Sequence, residues 1–324
     1  MAGSAMAGSA VIAAGAAVAA AVAGGAADRW WRARVRRRFE AEHRKRFRMT
    51  ATGVVAGAEP FTLAGAPDRA VLVLHGFNDT PQSMAALAAR LHARGWTVRV
   101  PLLPGHGVGL AEMAATSRAA AWRTAAREEY DALRRTHARV AVVGQSMGGA
   151  LAVLLAAERP EIPALVLLAP YLGMPHPLQW QIAAAWLAQV AMPYRTSTGG
   201  DMSIHDPRAR VAGLGPGVVT ARTLTELRRV AEDAESTLPA LSVPTLYLQS
   251  REDNRIAVPH ATAMFCRLGS AEKRVHWLTG CGHIISDDYC RDEVAEETAR
   301  WIDGHGAPSP AIGGARDDAT PVAG

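Results

Sequence analysis

The chain of 324 residues is 49% hydrophobic, which is enough for a sizeable core, and its length fits one α/β domain with an insertion better than two separate domains. The formal net charge is +5, but residues 28–48 alone carry +7 from ten Arg or Lys and three Asp or Glu, so the remainder sums to −2. Because the basic charge is local, a general nucleic-acid-binding surface is not supported, and we expect no nucleic-acid partner.

The N-terminal segment, residues 1–48, differs in composition from the rest. Residues 10–27 are uncharged and just reach the span of a bilayer core, and residues 28–38 add arginines and the pair Trp30-Trp31, which suits a membrane interface. Ala and Gly insert weakly, so a disordered extension is the alternative, and a signal peptide is disfavoured because no Lys or Arg precedes the apolar run. We expect membrane contact through residues 10–38, with the arginines holding the following chain on the cytoplasmic side.

The three cysteines, Cys266, Cys281 and Cys290, form no Cys-x-x-Cys pair and leave one over in any disulfide scheme. This pattern favours reduced thiols in a cytoplasmic compartment.

From residue 49 onward, apolar strands alternate with helical segments. This order predicts an α/β fold with a doubly wound, mostly parallel sheet and its active groups at the carboxyl ends of the strands. After a first hairpin region at Val54–Leu63, strands are predicted at residues 70–75, 96–100, 138–144, 164–169, 243–250 and 273–278. Helices are predicted at residues 81–94, with Thr80 as N-cap, and at 119–137, 149–158, 223–235, 258–268 and 288–302.

The regular alternation stops between the strands at 164–169 and 243–250. We therefore assign residues 49–171 and 240–303 to the core and residues 172–239 to an insertion that begins with an apolar helical stretch, Leu178–Met192. The insertion is interpreted as a small helical cap, or lid, over the site; surface helices with no role in substrate binding are the alternative. Residues 304–324 have the Gly, Pro, Ala and Asp content of a disordered tail.

The predicted strand that ends at Gly144 runs directly into Gly-Gln-Ser-Met-Gly and then into a helix. A Gly-x-Ser-x-Gly pattern in this context is the nucleophile elbow, a turn so sharp that Gly144 and Gly148 are needed where a Cβ would clash. The pattern therefore predicts Ser146 as a catalytic nucleophile, although an ordinary Gly-rich turn would have the same letters.

A serine nucleophile needs a base and an acid later in the chain, in the order Ser, Asp or Glu, His. Asp253 follows the strand at 243–250, and His283 follows the last strand, directly after Gly282. We predict Asp253 as the orienting carboxylate, with Glu252 as its rival, and His283 as the general base. The oxyanion needs two donors, for which we predict the backbone N–H of Met147, after the nucleophile, and that of Phe77, in the loop after the first long strand.

These motifs together, His75-Gly-Phe77, Gly105-His-Gly107, the elbow, Ser250–Asp253 and Gly282–Asp287, resemble the α/β-hydrolase superfamily and, more narrowly, its bacterial carboxylesterases and monoacylglycerol lipases. The resemblance covers roughly residues 54–303. It implies the α/β-hydrolase fold, a triad at the equivalents of Ser146, Asp253 and His283, oxyanion amides at Phe77 and Met147, and a small cap over an apolar acyl pocket.

The predicted reaction is hydrolysis of a small-molecule acyl ester of medium or long chain, such as a monoacylglycerol or lysophospholipid, with no metal or organic cofactor. A thioesterase or acyltransferase would use the same triad. A non-catalytic membrane-attached binding protein on a hydrolase fold is the alternative from another class. The sequence leaves the oligomeric state open.

Overall fold

The computed structural model describes Gly25 and residues 27–173, 192–197 and 200–306. Its main sheet has seven strands in the order β1-β3-β2-β4-β5-β8-β9, in which β1 is antiparallel to β3 and all other neighbours are parallel. The strands of this sheet are β1 (Phe61–Leu63), β2 (Arg69–Leu74), β3 (Thr97–Val100), β4 (Arg139–Gln145), β5 (Leu165–Leu168), β8 (Thr245–Ser250) and β9 (Lys273–Leu278). The predicted doubly wound, mostly parallel α/β sheet is confirmed.

The central strands are apolar along their whole length because helices cover both faces of the sheet. The helices are α1 (27–46), α2 (Ala85–Ala93), α3 (Leu110–Thr116), α4 (Ala119–Arg134), α5 (Met147–Glu158), α6 (Pro207–Ala212), α7 (Ala221–Thr237), α8 (Val258–Arg267) and α9 (Arg291–Gly306). Leu72 and Leu74 of β2 face the cluster that includes α4, α5, α7 and α8, whereas Val71 and Val73 face α2 and α9.

Several predicted boundaries differ from the structure. In place of a hairpin at residues 54–63, only β1 is a strand of the sheet, and Val54 makes an isolated bridge to Val108. The helix predicted from Pro81 begins as a 3-10 turn, and the Thr80 side chain makes no cap hydrogen bond, because the Ser83 amide donates to the Thr80 carbonyl instead. The last helix continues to Gly306, past the predicted start of the tail.

Between β5 and β8, the described part of the insertion contains an antiparallel ribbon of β6 (Arg195–Thr196) and β7 (Val218–Val219), followed by α7. Helix α7 is amphipathic, and its buried Val230 and Ala231 belong to the same apolar cluster as Leu151 of α5. The second half of the insertion is therefore packed on the core. Most of the predicted helix Leu178–Met192, all of residues 10–24 and residues 307–324 lie outside the described residues.

Tyr247 gives a test of this packing, because its side chain is fully buried and its hydroxyl has no hydrogen-bond partner among the described residues. A buried hydroxyl without a partner costs about 1 kcal/mol or more, so Tyr247→Phe should raise the free energy of unfolding by about 1 kcal/mol in urea denaturation. The matched control is Tyr130→Phe, whose hydroxyl bonds to Glu161 and whose loss should lower stability slightly. A destabilised Tyr247→Phe would contradict this reading of the core.

Candidate active site

Ser146 occupies the sharp turn between β4 and α5. Its backbone lies at φ 52° and ψ −116°, a left-handed conformation that a non-glycine residue adopts only when its surroundings enforce it. Here the Ser146 amide donates to the Leu168 carbonyl at 2.9 Å, and the Ser146 carbonyl accepts from the Tyr171 amide at 3.0 Å. Strand β5 and the segment after it therefore hold the turn on both sides.

The two glycines of the elbow are required by close backbone approach. A Cβ on Gly144 would lie 2.2 Å from the Gly148 carbonyl oxygen, and a Cβ on Gly148 would lie 2.2 Å from the Leu74 carbonyl oxygen. Both distances are far below van der Waals contact, so a side chain at either position would push α5 away from β2 or open the turn. The Gly-x-Ser-x-Gly pattern is thus explained by packing of the turn itself.

Three predicted side chains meet at this turn although they are far apart in sequence. His283 Nε2 lies 2.8 Å from Ser146 Oγ, and His283 Nδ1 lies 2.8 Å from Asp253 Oδ2. The imidazole and the carboxylate are almost completely removed from solvent. Since Nδ1 faces a carboxylate, it carries the proton, and Nε2 is left as an acceptor for the serine hydroxyl.

The Asp253 carboxylate is held as an anion by several donors. Its Oδ1 accepts from the amides of Arg255 and Ile256 at 2.7 and 2.9 Å, and its Oδ2 also accepts from Gln249 Nε2 at 2.7 Å. Burial opposes ionisation, but the charge and hydrogen bond of His283 and the two amides outweigh it, so the pKa of Asp253 lies below its ordinary value. Gln249 was not singled out in the sequence, and its place four residues before Asp253 is the signal that was available.

Glu252, the rival carboxylate, points elsewhere. Its Oε1 accepts from the Gly280 amide at 2.7 Å, and its Oε2 lies 3.7 Å from His205 Nδ1. It is therefore Asp253 and not Glu252 that meets His283.

The loop that holds Phe77 runs beside the serine, since a Cβ on Gly76 would lie 3.4 Å from Ser146 Cβ. His75 fixes this loop. Its Nε2 accepts from the Leu103 amide at 3.1 Å, so its Nδ1 carries the hydrogen and donates to the Gly76 carbonyl at 2.9 Å. Burial lowers the pKa of His75 to about 3, and the ring stays neutral. Because a trans peptide places its N–H opposite its C=O, His75 also fixes the direction of the Phe77 amide.

The amide of Met147, the second predicted donor, belongs to the first residue of α5. The first amides of a helix have no acceptor within the helix, and they lie at the positive end of its dipole. Such an amide suits an oxygen that carries negative charge. The buried α5 keeps this end fixed beside Ser146.

Asp288 is the second residue of this region that the sequence analysis left without a role. Its carboxylate is fully buried and accepts from four backbone amides, those of Gly282, Tyr289, His205 and Asp206, each at 2.7 or 2.8 Å. It therefore ties the loop that carries His283 to the segment of the insertion that carries His205. The available signal was the acidic residue five positions after the histidine.

The cysteines correct one prediction. Cys281 and Cys290 form a disulfide with a Cα–Cα distance of 5.9 Å, whereas Cys266 is free and exposed. The expectation of three reduced thiols is therefore wrong. The physical reason is the Asp288 contact, which folds residues 282–289 back on themselves and brings together two cysteines that are nine positions apart. Disulfides are typical of oxidising compartments, so the cysteines no longer support a cytoplasmic placement.

A small cavity adjoins the loop that holds Phe77, on the side of the insertion. Both apolar and polar residues line this cavity. They are Phe77, Asn78, Gly105, His106, Met113, Ser117 and Pro216. Burial lowers the pKa of His106 to about 4, so this ring is neutral as well. No cluster of His, Cys, Asp or Glu able to hold a metal ion occurs among the residues that the structure describes.

A parallel sheet with a strained serine at the β4–α5 turn, and a histidine and an aspartate at later strand ends, defines a serine hydrolase of the α/β-hydrolase fold. Comparison with known proteins agrees: the family described as serine aminopeptidase, S33, matches residues 65–288, and the chain belongs to this family. It is a carboxylic ester hydrolase of the carboxylesterase and monoacylglycerol lipase type.

Among its relatives, a thermostable monoacylglycerol lipase of Bacillus sp. (strain H-257) is 30% identical over 78% of this chain and 97% of the relative. A carboxylesterase of Bacillus subtilis (strain 168) is 25% identical over 77% and 98% of the two chains. Among solved structures, one from the work on LipS and LipT, two metagenome-derived lipolytic enzymes, has a TM-score of 0.70 and 32% identity over 78% of this chain and all of that one. The fold is also that of a Paleococcus ferrophilus monoacylglycerol lipase, with a TM-score of 0.63 and coverage of 76% and 99%.

A buried carboxyl group, Asp79, and a half-buried one, Asp287, make stability depend on pH. Burial raises the pKa of Asp79 to about 6, and burial together with the charge of Asp79 raises that of Asp287 to about 6. The folded protein therefore holds the Asp79 proton more tightly than the unfolded chain does. Its contribution to stability is complete below the ordinary value of 3.8 and is lost as the pH rises through about 6.

In Asp79→Asn the part of this dependence that comes from Asp79 should disappear. Between about pH 4 and pH 7, the free energy of unfolding of the unmodified protein should fall by about 2 kcal/mol more than that of the variant, measured by urea denaturation at each pH. The control Asp292→Asn changes an exposed carboxylate at the start of α9 and should keep the original pH profile. Parallel profiles for the protein and Asp79→Asn would rule out a buried titrating group at this position.

Proposed function

We propose that the protein hydrolyses carboxylic esters with medium or long acyl chains through an acyl-enzyme on Ser146. The observation that carries this proposal is the continuous hydrogen-bond line from Asp253 through His283 to Ser146 Oγ. It is supported by the ester hydrolase family to which the chain belongs.

In the first step, Ser146 Oγ attacks the ester carbonyl carbon while His283 Nε2 takes the hydroxyl proton. Asp253 keeps the imidazole in the tautomer that leaves Nε2 free to accept, and its negative charge stabilises the imidazolium that forms. The tetrahedral oxyanion accepts hydrogen bonds from the amides of Phe77 and Met147. The imidazolium then protonates the alcohol as it leaves.

In the second step, water takes the place of the alcohol. His283 removes its proton, the resulting hydroxide attacks the acyl-enzyme, and the same two amides hold the second oxyanion until Ser146 leaves with the proton returned by His283. No step of this cycle calls for a metal or an organic cofactor. A thiol ester would follow the same cycle, so thioester hydrolysis is the second candidate and is separated from the first by substrate choice alone.

The choice of a lipid-derived ester has two supports. The inserted stretch 178–192 is apolar and rich in tryptophan and alanine, which suits a wall for an acyl chain. In addition, relatives that match most of this chain are named for monoacylglycerol hydrolysis. We take a monoacylglycerol or a lysophospholipid as the natural class of substrate.

Membrane contact through residues 10–38 belongs to the proposal as well. No described helix is long and apolar enough to cross a bilayer. The support for contact comes from the arginines and the exposed tryptophans of α1. The placement of the domain on the cytoplasmic side now depends on the arginine cluster alone, since the disulfide removes the argument from the cysteines.

Replacement of the nucleophile tests the mechanism. Ser146→Ala should lower kcat by at least about 10⁴-fold on any ester that the protein cleaves and should abolish labelling by a fluorophosphonate, because Ser146 carries the hydroxyl that is hydrogen-bonded to His283 Nε2. The control Ser236→Ala, at the exposed end of α7, should keep both activity and labelling. Retained hydrolysis in Ser146→Ala would exclude the proposed acyl-enzyme.

A panel of substrates tests the chemical class. We expect kcat/KM to rise from acetyl to medium- and long-chain esters and to be higher for monoacylglycerols or lysophospholipids than for triacylglycerols, because each buried methylene contributes about 0.8 kcal/mol. Acyl-CoA of equal chain length is the comparison for thioester hydrolysis. Activity confined to acetyl or bulky aromatic esters would exclude the lipid class while leaving the triad intact.

A further inference from the structure

The basic charge of the chain is concentrated on a single helix. Apart from Arg46, which donates to the Gly213 carbonyl, the exposed cationic residues of α1, which we term the arginine face, are Arg29, Arg34, Arg36, Arg37, Arg38, Arg44 and Lys45. Arg38 pairs with Glu42, and no other member of the arginine face has an ion-pair partner among the described residues. A set of like charges this close together stores repulsion that an anionic partner would relieve.

A buried stripe of α1 fixes the helix to the domain. Val35, His43 and the nearby Phe47 are buried, and the Phe39 ring lies 5.9 Å from that of Tyr194 in the insertion. Phe47 packs in one cluster with Val55. The helix is therefore a rigid part of the surface, so its charges have a fixed direction relative to the catalytic site.

Two tryptophans mark the N-terminal end of the arginine face. Trp30 is 59% exposed and Trp31 is 46% exposed, and the Arg34 guanidinium lies over the Trp30 ring at 5.7 Å from its centre. Large exposed aromatic side chains are unfavourable in water, but tryptophan is favoured at the boundary between lipid head groups and acyl chains. Cationic side chains with adjacent tryptophan are the combination typical of helices that lie on a bilayer.

We propose that the arginine face, with Trp30 and Trp31, is a docking surface for an anionic lipid bilayer. The match to the hydrolase family covers residues 65–288 and leaves α1 outside, so this surface is an addition to the catalytic fold. The remainder of the chain carries −2, so an anionic surface attracts the protein at α1 and repels it weakly elsewhere.

Docking at α1 also orients the site. The inner side of α1 contacts Tyr194, which shares an apolar cluster with Met113, and Met113 lines the cavity beside Phe77. Because α1 contacts the insertion, a bilayer bound to the arginine face would lie on the same side of the molecule as the insertion. The benefit of this arrangement, delivery of lipid esters to Ser146, rests on the proposed ester hydrolysis. The docking itself rests only on the proposed membrane contact, for which it names the surface and the lipid.

The test measures binding of the full chain to vesicles of phosphatidylcholine alone and of phosphatidylcholine mixed with phosphatidylglycerol. We expect binding to the mixed vesicles only, weakening as salt is added. Arg36→Gln/Arg37→Gln should raise the Kd by about 30-fold, since each basic residue near an anionic surface contributes about fivefold. The matched control Arg135→Gln/Arg300→Gln removes the same charge from exposed sites at the C-cap of α4 and on α9 and should change the Kd by less than about threefold.

Three outcomes would overturn the proposal: equal binding to both kinds of vesicle, a Kd that salt and Arg36→Gln/Arg37→Gln leave unchanged, or displacement of the mixed vesicles by a short RNA at equal charge concentration. The first two would assign binding to the apolar residues 10–27, and the third would assign α1 to nucleic acid. Hydrolysis of a water-soluble ester, measured on the same samples, separates this result from the proposed function, because vesicle binding without hydrolysis contradicts only the latter.

Discussion

The left-handed backbone of Ser146 is the constraint on which the arrangement of the other parts depends. A serine at positive φ is unfavourable by roughly 1 kcal/mol or more, and here the neighbours of the turn supply the compensation. The Leu168 carbonyl and the Tyr171 amide bind its backbone, and the Gly148 backbone fits against Leu74 with no space for a Cβ. The result is a hydroxyl that projects from the carboxyl ends of the strands, where the loops after β8 and β9 can reach it.

Those two loops are positioned by buried carboxylates that bind backbone amides. Asp253 accepts two amides of its own loop, and Asp288 accepts amides from the loop of His283 and from the insertion. A carboxylate that accepts several amide hydrogen bonds behaves as a cross-link between the segments that donate them. Together with the disulfide Cys281–Cys290, Asp288 leaves the His283 loop few alternative conformations, so the imidazole is oriented before a substrate arrives.

The sequence allowed the sheet and the meeting of Ser146, Asp253 and His283 to be predicted for one reason, which is that parallel strands end at the same edge. Long apolar runs located the strands, and each of these residues follows a run directly. The Cys281–Cys290 pair could not be predicted from spacing, because it depends on how Asp288 folds its loop. The raised pKa of Asp287 likewise depends on burial and on the charge of Asp79, more than two hundred positions away.

Helix α1 is a different case. Its sequence contained the spacing of a helix with a buried stripe, but the high density of arginine favoured a different interpretation. Val35, Phe39, His43 and Phe47 recur every four residues among the arginines, which is the spacing of one side of a helix. The density of arginine suggested only a segment at a membrane interface. The buried stripe explains why this segment is a fixed part of the domain. The same helix thus satisfies two environments: its buried stripe contacts the insertion, and most of its exposed cations have no ion-pair partner within the part of the chain that the structure describes. In the free protein, water and salt screen the repulsion among these cations. An anionic surface beside α1 would replace this repulsion with attraction.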